Sequence, residues 1–182
     1  MEHLYYLVAQ LPAISVNDDS SQKLPLTVGY FKDLCSRFMS EKSAKLAEKL
    51  TLEPPVEPVS TGSVFLDEWY EKERCLRLAL AQIRALKMKK DIKDLPSASD
   101  GESIQAARTA TGMDSPLAAE QYLNQYRLGI LDRISPLDNF SVDAVYSYGL
   151  KLMLAERMKM FNKDEGLASY HKIYDEILGE KK

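Results

Sequence analysis

Histidine and cysteine are nearly absent from this sequence, with two of each among 182 residues. His3 stands almost at the start and His171 stands alone in a late helical pattern, so a histidine-based zinc site or catalytic triad lacks partners in sequence. Cys35 and Cys75 sit inside helix-like patterns without a C-x-x-C arrangement, which reads as two buried free thiols rather than a disulfide or a metal site. The eight glycines are spread from Gly29 to Gly179 and never cluster, so neither a P-loop nor a dinucleotide fingerprint can be assembled. No apolar run approaches the roughly 18 residues of a membrane span. The first residues, Met1-Glu2-His3, lack the basic n-region of a secretory signal, which makes the cytosol the default expectation. There is no excess of positive charge either: Lys and Arg total 24 against 27 Asp and Glu, a formal charge of −3. Generic binding to nucleic acid or anionic membrane is thereby disfavoured.

What the sequence does contain is helical pattern. Over Ser63 to Ile92 apolar residues recur for about eight turns. Phe65, Trp69, Leu76, Ala79, Ile83 and Leu86 form one stripe broken by Lys72, and Cys75, Leu78, Ala81, Ala85 and Met88 form a second beside it. Glu73, Arg77, Arg84 and Lys87 are left as a narrow polar strip. Acids early (Asp67, Glu68, Glu71) and cations late (Lys87, Lys89, Lys90) suit the helix macrodipole.

Before this long helix, Leu4 to Leu11 reads as either a short strand or a helix ending at Pro12, and a polar stretch follows over Asn17 to Gln22. Thr27 is a candidate N-cap for a helix carrying Val28, Phe31, Leu34, Cys35 and Phe38, and Ser40 for another reaching about Leu50. Pro54, Pro55 and Pro58 then force an extended connector. Beyond the long helix, Asp94 to Asp114 holds Pro96, Gly101 and Gly112 around one weak helical patch from Ile104 to Ala110, and is expected to be mobile. Ser115-Pro116 is a helix start, Ser141 caps a further helix, and a last one spans about Asp164 to Leu178.

The candidate chemistry is thin. Glu68 and Glu71, one turn apart, read as dipole partners rather than an acid–base pair. Glu68 with Lys72 and Glu73 with Arg77 are pairs at i,i+4 spacing. Arg77 and Arg84 are two turns apart and face the same way. They either meet acids of a partner, or line the solvent edge or pair with Asp or Glu within the domain. The tyrosines at 122, 126, 146, 148, 170 and 174 fall at helical spacing and read as core and rim rather than a base-stacking platform.

Three stretches together carry a resemblance: Tyr5-Tyr6-Leu7-Val8-Ala9-Gln10-Leu11-Pro12; Phe65-Leu66-Asp67-Glu68-Trp69-Tyr70-Glu71 with Leu76-Arg77 and Arg84-Ala85; and Phe140-Ser141 with Tyr148-Gly149-Leu150-Lys151-Leu152. In that order they resemble an uncharacterised bacterial family whose genes sit beside those of V-type ATPase subunits. That family is similar, more distantly, to the C subunit (subunit d), an all-helical, non-catalytic socket between the rotor's central stalk and the membrane ring. The resemblance implies a coupling or assembly component whose partners are V-type ATPase subunits on the stalk or ring side, held at the inner membrane's periphery. It assigns no catalytic, cofactor or metal residue.

The expected fold is mainly α: a helical bundle around one long central helix, with a small amino-terminal head over residues 1–53, a connector over 54–62 and a body over 63–182. The long helix should pack on the three later helices, those starting at Ser115-Pro116, Ser141 and about Asp164. Trp69, Tyr70, Arg77 and Arg84 are the candidate protein-interface residues, because aromatic and arginine side chains dominate interface energetics. Two rivals stand beside the ATPase reading: a free-standing helical adaptor or regulatory module, and an enzyme with an unrecognised carboxylate or tyrosine site.

Overall fold

The computed structural model describes residues 4–14, 24–89, 96, 98–160 and 163–179. Among these the chain forms eight helices and no strand: α1 (Tyr5–Gln10), α2 (Val28–Phe38), α3 (Glu41–Glu48), α4 (Val64–Lys87), α5 (Gly101–Thr111), α6 (Pro116–Ile134), α7 (Val142–Lys159) and α8 (Lys163–Leu178). The fold is mainly α, as the periodicity predicts.

The helix starts follow from local chemistry. Thr27, Ser40, Ser63, Asp100, Ser115 and Ser141 each sit in extended conformation and accept a hydrogen bond from the backbone N–H three residues on, satisfying one of the helix's orphan donors. Ser63 does more than cap. Its Oγ also donates to Asp143 Oδ1 at 2.7 Å, tying the start of α4 to the first turn of α7. Just ahead of it, Gly62 takes φ +85°, a conformation a side chain would strain. The connector is then clamped to the helix, because Ser60 Oγ and Thr61 N–H both donate to Asp67 at 2.7 Å.

Two hydrophobic clusters share α4. The first half of that helix, through Phe65, Leu66, Trp69 and Tyr70, enters a cluster with α1, α2, α3, α7 and the second half of α6. Its second half, through Leu76, Ala79 and Leu80, packs against Ala106, Ala107 and Ala110 of α5 and Leu123 of α6. Leu4, Leu7, Phe31, Leu34 and Cys35 lie in the same cluster as Trp69 and Leu150, so the amino-terminal segment shares its core with the body. Gly149 is the tightest point of that union: a Cβ there would lie 2.6 Å from the Phe31 ring.

Several expectations are corrected. The segment expected to be mobile contains α5, whose Ser103, Ala106, Ala107 and Ala110 are all buried. Small side chains give a weak hydrophobic signal but let two helices approach closely, and this is why the sequence pattern understated the helix. The strand-or-helix alternative at Leu4–Leu11 resolves to α1. The long helix ends at Lys87, and its last apolar residues Leu86 and Met88 are exposed, 59% and 63%. The long helix packs on α5, α6 and α7, but not on α8: Leu167, Tyr170, Ile173, Tyr174 and Ile177 are all exposed. The polar stretch Asn17–Gln22, Lys90 and Ile92 lie outside the described residues.

Candidate functional site

Glu73 occupies the seam between the two clusters, following Tyr70 of the first and preceding Leu76 of the second. It is 1% exposed, so this member of the narrow polar strip is the most deeply buried carboxylate among the described residues. Its ionic partner comes from the equivalent seam of α6, where Arg127 lies between Leu123 and Ile130. The Arg127 guanidinium donates twice, from Nε to Glu73 Oε2 at 2.9 Å and from Nη2 to Oε1 at 3.0 Å. Arg77 Nε adds a third donor to Oε1 at 2.8 Å, and Arg127 Nη1 reaches Asn124 Oδ1 at 3.4 Å. Burying a charge without such partners costs several kcal/mol, so this completeness is what makes the position tolerable.

Arg77 and Arg127 of this network line an open groove of about 600 Å³ between the Leu50–Glu53 segment, α4, α6 and the end of α7. Leu50, Leu52, Leu80, Leu123, Met153 and Met160 supply its apolar surface. Its charges are Arg77, Arg84, Arg127 and Arg157 against Glu53, Glu120 and Glu156. Most of these are engaged with one another: Arg157 pairs with Glu120, and Arg77 reaches Glu53 at 3.8 Å. Arg84 is exposed and makes no ion pair with a described residue.

A second cavity of about 580 Å³ lies between the Pro12 segment and α7. Tyr148 borders it, donating to the Pro12 carbonyl at 2.9 Å, and burial pushes its hydroxyl up to about 12. Lys151 at its edge is paired with Asp132 at 2.7 Å. On the far side of α4, Ser103 Oγ donates to Asp100 at 2.5 Å and lies 3.2 Å from the Tyr126 hydroxyl. The Ser103 hydrogen bond leads the effects that hold the Asp100 carboxyl below its usual range, and Lys72 assists at 3.4 Å. Lys72 thus pairs with Asp100 rather than with Glu68. Burial pushes the Cys35 thiol up to about 12, and both cysteines are free and buried as expected. No group of three or more His, Cys, Asp or Glu side chains that could hold a metal ion occurs among the described residues.

The four candidate interface residues separate into two pairs. Trp69 is 0% and Tyr70 6% exposed; both are core residues of the first cluster, which removes them from any surface in this fold. Their large rings gain more by closing the α1–α2–α7 core than by facing water. Arg77 and Arg84 both line the groove, two turns apart as their spacing requires. The residues missed were Glu73, Arg127, Glu120 and Arg157. Glu73 does carry a signal, since Trp69, Glu73, Leu76 and Leu80 fall on one helical face, and Leu123, Arg127 and Ile130 do the same on α6. One acid and one base, each interrupting an apolar stripe, are the trace of a buried pair.

No helix of the described residues is long and apolar enough to cross a membrane. No curated protein and no solved structure matches the chain. Residues 101–181, which begin at α5 and run through α8, match the model of a family described as "Protein of unknown function (DUF2764)".

Proposed function

We propose that this protein is a non-catalytic, helical protein-binding component associated with a V-type ATPase. The observation that carries the binding role is α8, whose apolar side chains Leu167, Tyr170, Ile173, Tyr174 and Ile177 are all exposed. Exposed apolar surface of this extent on one face marks an interaction site more often than a solvated helix. The ATPase assignment rests on the ordered resemblance of the Tyr5–Pro12, Phe65–Glu71 and Tyr148–Leu152 segments to the family encoded beside those subunits. A non-catalytic role is in keeping with the deepest carboxylate, Glu73, whose two oxygens both accept hydrogen bonds from arginines and so are not free to act as a base.

The test is a tagged pull-down from native membranes and cytosol at moderate ionic strength, with co-purifying proteins identified by mass spectrometry. Recovery of V-type ATPase stalk or ring subunits in fixed ratio to the bait is the expected result. Recovery of a different protein in fixed ratio would replace the ATPase reading with that of a free-standing adaptor, for which the exposed face of α8 argues equally well.

A further inference from the structure

The cavity beside the Pro12 segment differs in kind from the arginine-lined groove. Val8, Leu11, Ile14, Pro136, Ala144 and Val145 supply its apolar lining, and the one charged residue among its described lining, Lys151, is already paired with Asp132 at 2.7 Å. At about 580 Å³ it has the size and the character of a small-molecule site, apolar with a few polar groups. One of those groups lies deep: Ser147 is 3% exposed, whereas Asn139 is exposed at the edge. Hydrogen-bond accounting fixes what the deep groups have left to offer. Ser135 Oγ stands 2.5 Å from both the Leu131 carbonyl and Ser147 Oγ. A carbonyl only accepts, so Ser135 gives its single proton there and Ser147 donates to Ser135. Tyr148 gives its own proton to the Pro12 carbonyl at 2.9 Å. Ser147 and Tyr148 therefore keep acceptor lone pairs and have no proton to spare. Burial, which pushes the Tyr148 hydroxyl up to about 12, also keeps it uncharged at neutral pH.

We propose that this cavity binds a small neutral molecule whose apolar body lies against Val8, Leu11 and Ile14 and whose hydroxyl or N–H group donates to Ser147. Neutrality follows from the lining. An anion would meet hydroxyls that only accept and a lysine already held by Asp132, and a cation would find no acid among the described lining residues. The donor follows from Ser147. A molecule without one displaces water from a buried oxygen and leaves it unpaired, a loss that an apolar wall does not return. Sites of this kind reject the analogue that lacks the hydrogen-bonding group far more strongly than one that differs by a methylene. The burial of Ser147 also favours a slender molecule over a protein helix, whose broad face would lie across the opening without reaching the acceptor.

The site is independent of the ATPase reading and of the exposed face of α8. The test is a titration of the full chain with three probes of similar length, 1-octanol, 1-methoxyheptane and octanoate, followed residue by residue through backbone amide NMR shifts. Octanol should give saturable shifts centred on Ala13, Ile14, Ser147 and Tyr148. The ether, which accepts but does not donate, and the carboxylate should each bind about tenfold more weakly, the worth of one buried hydrogen bond. Two variants complete the test. Ser147→Ala should bring octanol down to the affinity of the ether and leave the ether unchanged, a selective effect that general loosening of the fold does not produce. Ala144→Leu, which adds bulk at a half-buried lining position, should abolish binding of both while circular dichroism and thermal unfolding stay as in the parent. Octanol without saturable shifts, shifts centred on α8 instead, octanoate as the tightest probe, or a Ser147→Ala loss equal for octanol and ether would each overturn the proposal.

Discussion

Arg127→Met should destabilise the protein by about 3 kcal/mol, the lower end of the range for stranding a buried charge. The magnitude follows from the site. Glu73 is 1% exposed and receives two of its three hydrogen bonds from Arg127, whose side chain is 6% exposed. Methionine fills similar space but leaves the carboxylate with Arg77 alone. Arg77 approaches at 2.8 Å from a side chain that is 38% exposed, and so keeps the loss from reaching the upper end. For a domain of this length the change corresponds to a fall of about 6–12 °C in Tm. Glu73→Leu should cost a comparable amount, since it leaves the buried Arg127 with only Asn124 at 3.4 Å and Glu120 at 3.9 Å. The double variant Glu73→Leu/Arg127→Met should be near wild type, because a packed apolar pair removes the desolvation penalty together with the attraction. Urea denaturation of the four proteins gives the cycle directly. A single-variant loss below about 1 kcal/mol, or a double variant as unstable as the two singles added, would refute the claim that α4 and α6 are joined by a desolvated ion pair.

Other perturbations probe other parts of the fold. Gly149→Ala should destabilise by about 1–3 kcal/mol despite alanine's better helix propensity, because its Cβ meets the Phe31 ring, and Phe31→Leu in the same chain should recover part of the loss in thermal unfolding. Trp69→Phe should cost far less than Trp69→Ala, for which about 3–5 kcal/mol is expected; the indole Nε1 is buried without a hydrogen-bond partner, so phenylalanine forfeits only volume. Alkaline titration should show stability falling from about pH 9 to pH 12. Cys35 and Tyr148 keep their protons up to about 12 in the fold, but the unfolded chain releases them near 9 and 10, so unfolding sheds protons in that window; Cys35→Ala should flatten the early part of the fall. At neutral pH neither cysteine should react with a thiol reagent until urea unfolds the chain.

The capping serines, Thr27, the proline connector and the apolar spacing of α2, α4, α6 and α7 determine where helices begin and which faces they bury. Those choices are local: a side-chain oxygen meets an amide three residues away, and an apolar face repeats every turn. The resulting fold class was legible for that reason. Tertiary structure decided the rest. Trp69 and Tyr70 look like interface aromatics in a linear reading, yet α1, α2 and α7 close over them. The alanines of α5 carry little hydrophobicity individually and gain meaning only against Leu76 and Leu80. Glu73 and Arg127 are 54 residues apart, and either alone would look like an error in its stripe; brought together they become the seam of the core. The stripe of α8 is the converse case. Its periodicity is as regular as that of the packed helices, but periodicity states only that a face is apolar, and whether this chain or another covers it depends on what the rest of the fold leaves within reach.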